Sequence, residues 1–452
     1  MAMSGFRGAV SAFRDTVRTQ LWPMPTAGVV LAVALGVTLP EVDARIDDEL
    51  PAAWTAYLFG GGADAARAVL AAIAGSLITV TSLTFSLTVV TLQLASGQFS
   101  PRLLRTFTSD RFVHATLALF LATFAYALTV LRTVRTADGA QQAFVPQASV
   151  TVAFLLALSS VVFLVLFLAH LARKIRVETM VRDVHADAAA TVSRVLTERG
   201  EDSSRPVLPV PPASAVPVIA STSGFLGRVD ESALLSAAVD ADAIIVIDRR
   251  PGNSVVAGTP IGVCWPRTAE PFAHETSTHL LSRARSAVST QTERTAAQDV
   301  GFGLRQLTDV AIKALSPGIN DPTTAVHALG HSAALLAQLA AHELGHHALS
   351  DDRHLVRVVL YRADFEDLLD MAVSQPRRYG AADPAVLDRL LTLLRELAWA
   401  VDLPDHRRAI EKQLARLCAT ADIQDFDSTE REHLKHLGDQ VRRALNGRWR
   451  AV

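Results

Sequence analysis

From Ala68 to Ala95 the chain carries no charged residue, over a length greater than the roughly 20 apolar residues that cross a bilayer core. Such a run confines the segment to a membrane-spanning helix. It is also rich in hydroxyls. At about 3.6 residues per turn, Thr79, Ser82, Ser86 and Gln93 fall on one face, flanked by Gly75 and Gly97. Thr81, Thr84, Thr88 and Thr91 fall on the opposite face. Apolar edges separate the two, Val80, Leu83, Leu87 and Leu94 on one side and Ile78, Phe85, Val89 and Leu92 on the other. Small and hydroxyl side chains let membrane helices pack closely and bond back to their own carbonyls. Alternatively, one edge lines a polar path. The edge with Gln93 is the candidate, because an amide has donors and acceptors that lipid cannot satisfy. Under either reading the helix needs neighbours.

Three further apolar runs, Leu21–Leu39, Phe112–Leu131 and Ser149–Leu171, complete a four-helix transmembrane domain over residues 1–171. Arg7, Arg14 and Arg18 precede the first run, Arg102, Arg105 and Arg111 separate the second from the third, and Arg173, Lys174, Arg176 and Arg182 follow the fourth. The first outer loop is acidic, with Glu41, Asp43, Asp47, Asp48, Glu49 and Asp64. The positive-inside rule then places both termini in the cytoplasm of a bacterial inner membrane. Trp22, Trp54 and Tyr57 stand where interfacial aromatics belong. The cores of the four runs hold no Asp, Glu, Lys or Arg, which argues against a proton relay or a charge-coupled transporter. His114 and His170 lie near the cytoplasmic ends of the third and fourth runs and read as interfacial histidines.

Overall, 50% of residues are hydrophobic and 19% charged, against roughly 25% charged in soluble domains. A formal net charge of -2 argues against nucleic acid as a partner. Two cysteines, Cys264 and Cys418, make no disulfide framework and suit a reducing compartment for the soluble part.

Beyond Leu171, Val177, Met180, Val184, Ala188, Val192 and Val195 recur at helical spacing and predict a stalk that continues the fourth membrane helix. The Pro-rich stretch Arg205–Pro217 ends it, so residues 172–217 read as stalk and linker. Ile244–Ile247 and Gly262–Cys264, joined by turn chemistry over Asp248–Pro260, predict a small β-rich subdomain over 218–268. Its turn spacing resembles that of small β-barrels. Residues 269–452 read as mostly helical, with a strand at Leu355–Tyr361. The fold class is a membrane α-helical domain followed by a cytoplasmic α+β domain.

Two segments of the soluble part carry candidate chemistry. In the first, a helix over Phe302–Leu315 stops at Ser316–Pro317–Gly318, and Asn320 or Asp321 caps the next, with Pro322 in its first turn. Cap chemistry alone explains that corner. The same groups offer a ligand site, with helix-start N–H groups for an anion, or Asp309, Asp321 and loop carbonyls near Ser316 and Asn320 for a cation. In the second, His342–Glu343–Leu344–Gly345–His346 fits HExxH, with Glu366 a candidate third zinc ligand. The longer metzincin form fails, since Leu349 stands where glycine belongs and Asp352 where histidine belongs. The region is rich in histidine anyway. His327 and His331 make another i, i+4 pair. No phosphate-binding loop, nucleophile elbow or paired CxxC site is present in the sequence.

VTLQLASGQFSPRLLRTFTSD (Val90–Asp110), SGFLGRVD with RRPGNSVVAGTPIG, the Asp299–Ala325 stretch and RRYGAADPAVLDRLL (Arg377–Leu391) together resemble an uncharacterised bacterial membrane-protein family, domain of unknown function twenty-two fifty-four. The resemblance implies four membrane helices and a cytoplasmic C-terminal domain. It carries no catalytic residue to transfer.

The leading functional expectation is a homo-oligomeric channel or pore regulated by its cytoplasmic domain, with Thr79, Ser82, Ser86 and Gln93 lining the path. The acidic outer loop would concentrate cations. The expected partners are the bilayer, further copies of the chain, and a small ion or small-molecule ligand. A membrane-anchored sensor or scaffold is the alternative. A zinc metallopeptidase built on HELGH is the second alternative, and zinc enters as a cofactor only there.

Overall fold

The protein is described by a computed structural model covering residues 22–46, 58–98, 110–136, 144–174, 176–200, 208–268 and 270–449. Arg7, Arg14, Arg18, Trp54, Tyr57, Arg102 and Arg105, which orient the expected topology, lie outside the described residues. The chain divides into two compact units, Met1–Arg176 and Val177–Val452.

In the first unit the four apolar runs form α1 (Pro23–Ile46), α2 (Ala63–Gln98), α3 (Arg111–Leu131) and α4 (Gln147–Lys174). Each is long and apolar enough to cross a membrane. Helix α3 packs against all three others and holds the fully buried Phe120 and Tyr126. Glycine sets its approach to α1. A Cβ at Gly28 would meet the Ala118 carbonyl oxygen at 3.2 Å, and one at Gly36 would meet the Thr129 Cβ at 2.8 Å. Small residues at crossings of this kind let membrane helices approach to backbone contact. Polar locks tie the helix ends. Asp43 near the end of α1 accepts from the Ser149 N–H (2.9 Å) and hydroxyl (2.7 Å) at the start of α4. Arg67 donates to the Val134 carbonyl. His170 of α4, expected as an interfacial histidine, pairs with Asp110, the N-cap of α3.

The second unit opens with α5 (Val177–Val195). This helix turns its apolar stripe (Met180, Val184, Ala188, Val192) into the second unit. It packs there on α8 (Phe302–Ala314) and α9 (Pro322–Ala340). A Cβ at Gly303 of α8 would lie 2.2 Å from the Ala188 Cβ, so the two backbones touch. Before α8 come β1 (Val216–Ile219), β2 (Gly224–Val229), α6 (Glu231–Asp240), β3 (Ala243–Ile247), β4 (Ser254–Val255), β5 (Pro260–Pro266), α7 (His274–Ser286) and β6 (Val288–Gln291). After α9 come β7 (His347–Ser350), β8 (Val356–Leu360), α10 (Phe365–Tyr379), α11 (Pro384–Ala400), α12 (Pro404–Asp422) and α13 (Ser428–Leu445).

No barrel forms among the described residues. One sheet runs β1-β5-β3-β8-β7 and the other β4-β2-β6. The larger sheet therefore draws β8 and β7 from the segment expected to be mostly helical, with β8 at the predicted position and β6 and β7 unforeseen. Strand β8 pairs parallel with β3 (Ile245 opposite Val358), and the other pairings in the two sheets are antiparallel. Ile245, Ile247, Cys264, Val358 and Leu360 bury one face of this sheet against Leu234 and Ala238 of α6 and Leu280 of α7. Three of the four helices that follow β8 start on acidic caps. Asp364 and Asp427 close full capping boxes with Asp367 and Glu430, and Asp383 precedes Pro384.

Candidate functional site

On α2 the two hydroxyl faces meet different surroundings. Thr81, Thr84, Thr88 and Thr91 are buried within the first unit, whereas Thr79, Ser82, Ser86 and Gln93 are exposed. The buried set is mostly satisfied locally, with Thr81 bonded to the Leu77 carbonyl (2.6 Å), Thr88 to Thr84 (2.8 Å) and Thr91 to Leu87 (2.9 Å). Thr84 is the exception. The residue is 2% exposed, and its buried hydroxyl has no hydrogen-bond partner among the described residues. On the exposed face Thr79 bonds back to Gly75, while the Ser82 and Ser86 hydroxyls and the Gln93 amide make no hydrogen bond among the described residues. A Cβ at Gly75 would meet nothing within 4 Å, so this side is open. Beside it a groove of about 550 Å³, lined mainly by apolar residues such as Val29, Ile78, Phe85 and Leu117, also includes Ser82.

The corner after α8 is a capped turn. Asn320 takes a left-handed φ of 50°. Asp321 caps α9, accepting from the Thr324 N–H (3.0 Å) and hydroxyl (2.6 Å). The Thr324 hydroxyl holds the Asp321 carboxyl below its usual range, with the backbone N–H adding to the effect. Ser316 bonds back to the Lys313 carbonyl at 2.7 Å. Asp309 is buried in α8. Among the described residues no three His, Cys, Asp or Glu side chains cluster as a metal site.

HELGH is not helical. Helix α9 ends at Ala340, His342 forms an isolated bridge with Glu198, and Gly345 takes a φ of 86°. The zinc reading needs both histidines one helical turn apart, and the helix stops before either. His342 Nδ1 lies 2.8 Å from the Gln338 carbonyl, His346 packs edge-on against Tyr361, and Glu343 bonds through its N–H to the Thr197 carbonyl. Glu366 pairs with Lys412 at 2.5 Å. Farther up α9, His331 lies against His185 of α5, with ring centroids 5.2 Å apart. Burial pushes the His331 imidazole below its ordinary value, and the charges of His185 and His327 add to the effect.

The second unit also contains a cleft of about 640 Å³ with no counterpart in the sequence expectations. Arg194 from the last turn of α5, Arg228 from β2, Glu231 at the start of α6, Gln298, His347 of β7 and Arg362 after β8 converge on it. Arg362 bonds to Glu231 at 2.6 Å, and His347 Nε2 lies 3.7 Å from the other Glu231 oxygen. Gln298 mimics a strand, accepting from the Val229 N–H (2.8 Å) and donating to the Val229 carbonyl (3.0 Å). Burial, then the Arg362 charge, push the His347 imidazole down against the pull of Glu231 and Glu343. These residues lie far apart in the sequence, so no local motif could announce the site. The one local signal is that Arg228 belongs to SGFLGRVD, a stretch that carries the family resemblance.

An uncharacterized protein of Mycobacterium bovis is 36% identical over 427 residues, covering 93% of this chain and 80% of that protein. Two uncharacterized proteins of Mycobacterium tuberculosis strains are 36% and 35% identical, with the same coverage of both chains. No solved structure matches. Residues 18–396 match the family described as Predicted membrane protein (DUF2254), and the chain belongs to that family.

Proposed function

We propose that the protein is a homo-oligomeric inner-membrane pore in which the exposed edge of α2 lines a polar path between copies. One observation carries the reading: Thr79, Ser82, Ser86 and Gln93 face outward while the opposite hydroxyls are covered by the chain's own helices. An outward Gln93 amide in hydrocarbon costs several kcal/mol for want of partners. Water in a lumen, or the same edge of another copy, removes that cost. The open side at Gly75 leaves room for either. The arginine distribution along the sequence supports cytoplasmic termini, with the second unit there to regulate the path.

A cysteine scan tests the reading. In liposomes holding the full chain, a charged thiol reagent should modify cysteines at Ser82 and Ser86 and spare those at Thr84 and Thr88. Leu at Ser82 or Ser86 should stop ion flux while oligomer size is unchanged. Equal inertness of all four positions, with wild-type behaviour of the Leu variants, makes the hydroxyls packing groups. External labelling should reach Asp47 to Ala53 and Thr136 to Gln142 and miss Ser203; labelling at Ser203 reverses the topology. A membrane-anchored sensor is the second reading, favoured by the arginine-lined cleft of the second unit.

A further inference from the structure

The cleft of the second unit has the charge arrangement of a binding site, and this holds whether or not α2 lines a path. It lies beside the carboxyl ends of β3 and β8, the parallel pair at the centre of the larger sheet. Arg362 follows β8 directly. Arg249 follows β3 and lines a smaller adjoining hollow, which shares Val229, Gln298 and Arg362 with the cleft. In α/β sheets the carboxyl ends of parallel strands are where ligands bind, because the following loops diverge there.

The charges of the cleft are unevenly spent. Glu231 is occupied by Arg362. Asp230 is occupied by capping α6, where it accepts from the Ser232 hydroxyl (2.7 Å) and the Ala233 N–H (3.1 Å). Arg194 has no carboxylate partner among the described residues. Its Nη2 donates to the Ala296 carbonyl and the Thr191 hydroxyl at 3.3 Å, and to the Ala297 carbonyl at 3.5 Å. Arg228 is exposed and makes no close hydrogen bond or ion pair through its guanidinium among the described residues, but its charge adds to the Ser232 hydroxyl in holding the neighbouring Asp230 carboxyl below its usual range. Two guanidinium groups thus face one concavity, Arg194 held among the described residues only by carbonyl and hydroxyl partners and Arg228 close enough to Asp230 for their charges to interact. Val195, Val229 and Ala297 give the same concavity an apolar wall.

We propose that this cleft binds a small organic phosphate, with its phosphoryl group held by Arg194 and Arg228 and its organic part against Val195 and Val229. A single carboxylate needs only one guanidinium fork, whereas a phosphoryl group has three oxygens and up to two charges for a pair of forks. The volume of about 640 Å³ is that of a site for a molecule of drug or nucleotide size, far larger than inorganic phosphate requires. A soluble phosphate ester and a lipid phosphate headgroup share this chemistry.

The full chain in neutral detergent, at ionic strength fixed with sodium chloride, is titrated with sodium pyrophosphate, with adenosine monophosphate and with dihexanoyl phosphatidic acid. Calorimetry and the thermal midpoint are read together. A saturable heat and a raised midpoint are expected with at least one probe. Response to phosphatidic acid alone assigns the phosphate to a lipid headgroup, response to adenosine monophosphate assigns it to a free ester, and response to pyrophosphate alone overturns the organic part of the proposal. The double variant Arg194→Gln with Arg228→Gln should weaken binding at least tenfold, while Arg285→Gln on α7 should leave it unchanged. Should the double variant fail to fold, Arg228→Gln alone carries the test, since that exposed side chain holds no structural bond. Absence of saturable binding by all three probes, or equal affinity in the cleft variants and wild type, overturns the proposal.

Discussion

His170 Nε2 lies 2.7 Å from one oxygen of Asp110, whose other oxygen accepts from the Phe112 N–H at 2.9 Å. One carboxylate thereby caps the start of α3 and fastens the end of α4 to it. Phe112 adds to the junction, its ring 4.9 Å from the His170 imidazole and 6.0 Å from that of Phe163. Asp110→Ala should lose both the cap and the latch, about 1–2 kcal/mol for the cap alone. Asp110→Asn keeps a capping oxygen and should lose less. Thermal unfolding of the full chain in detergent ranks the two, and equal losses would remove the capping role.

The buried hydroxyls of α2 should separate on mutation. Thr84→Val replaces a buried hydroxyl that has no partner among the described residues, so the change should be neutral or stabilise by about 1 kcal/mol. Thr88→Val removes a 2.8 Å bond to the Thr84 carbonyl and should cost about 0.5–1 kcal/mol. The same unfolding measurement reads both. A Thr84→Val loss as large as that of Thr88→Val would mean that a partner for its hydroxyl exists.

Helix α5 should resist any added volume where it meets α8. Gly303→Ala places a methyl 2.2 Å from the Ala188 Cβ, and overpacking of this kind costs about 1–3 kcal/mol. Gly330→Ala on α9 is the control. Its Cβ would find only the Arg389 Nε, at 3.9 Å, and alanine is the better helix former by up to about 1 kcal/mol. Opposite signs for the two variants are expected in denaturant or heat. A silent Gly303→Ala would detach α5 from the second unit.

Acid should weaken the second unit through its histidines. His331 and His347 both sit below the ordinary 6.5, burial being the first cause in each. The unfolded chain therefore binds more protons than the folded one once pH falls through 6.5, and stability drops from there until the folded imidazoles have also protonated. Above 6.5 these two groups should contribute no slope. Asp321 and Asp230 are depressed carboxyls, and they lose their contribution only as pH falls below the ordinary 3.8. Asp299, raised by burial, acts in the opposite direction above 3.8. Subtracting the profile of His331→Gln from that of wild type isolates the histidine contribution. A difference that does not change as pH falls below 6.5 would remove His331 from this account.

Hydropathy made the four apolar helices legible, because span length and absence of charge are local properties. Local chemistry also announced the Asp321 cap and the strand at β8. The two faces of α2 were legible as faces, but which of them the chain would cover depends on where α1 and α3 pack. The split between Thr84 and Thr88 lies deeper still, since spacing places both on one face and says nothing of their partners. Periodicity reported the apolar stripe of α5 without naming what covers it; α8 and α9 do. For HELGH the pattern supplies ligand types, while the end of α9 at Ala340 decides their geometry. The cleft was invisible because Arg194, Arg228, Gln298, His347 and Arg362 are united only by the pairing of β3 with β8 and by the packing around it.

The side chain of Gln298 has a consequence for association between molecules. Strand β4 and the turn before it cover β2 from Gly224 to Leu226, and an uncovered strand edge recruits foreign strands. By occupying both the N–H and the carbonyl of Val229, Gln298 closes that stretch of edge with a single residue. Hydrolysis of its amide to a carboxylate, as in Gln298→Glu, would set oxygen against the Val229 carbonyl and reopen the edge. An ageing reaction at one side chain would then turn the small sheet into a template for aggregation.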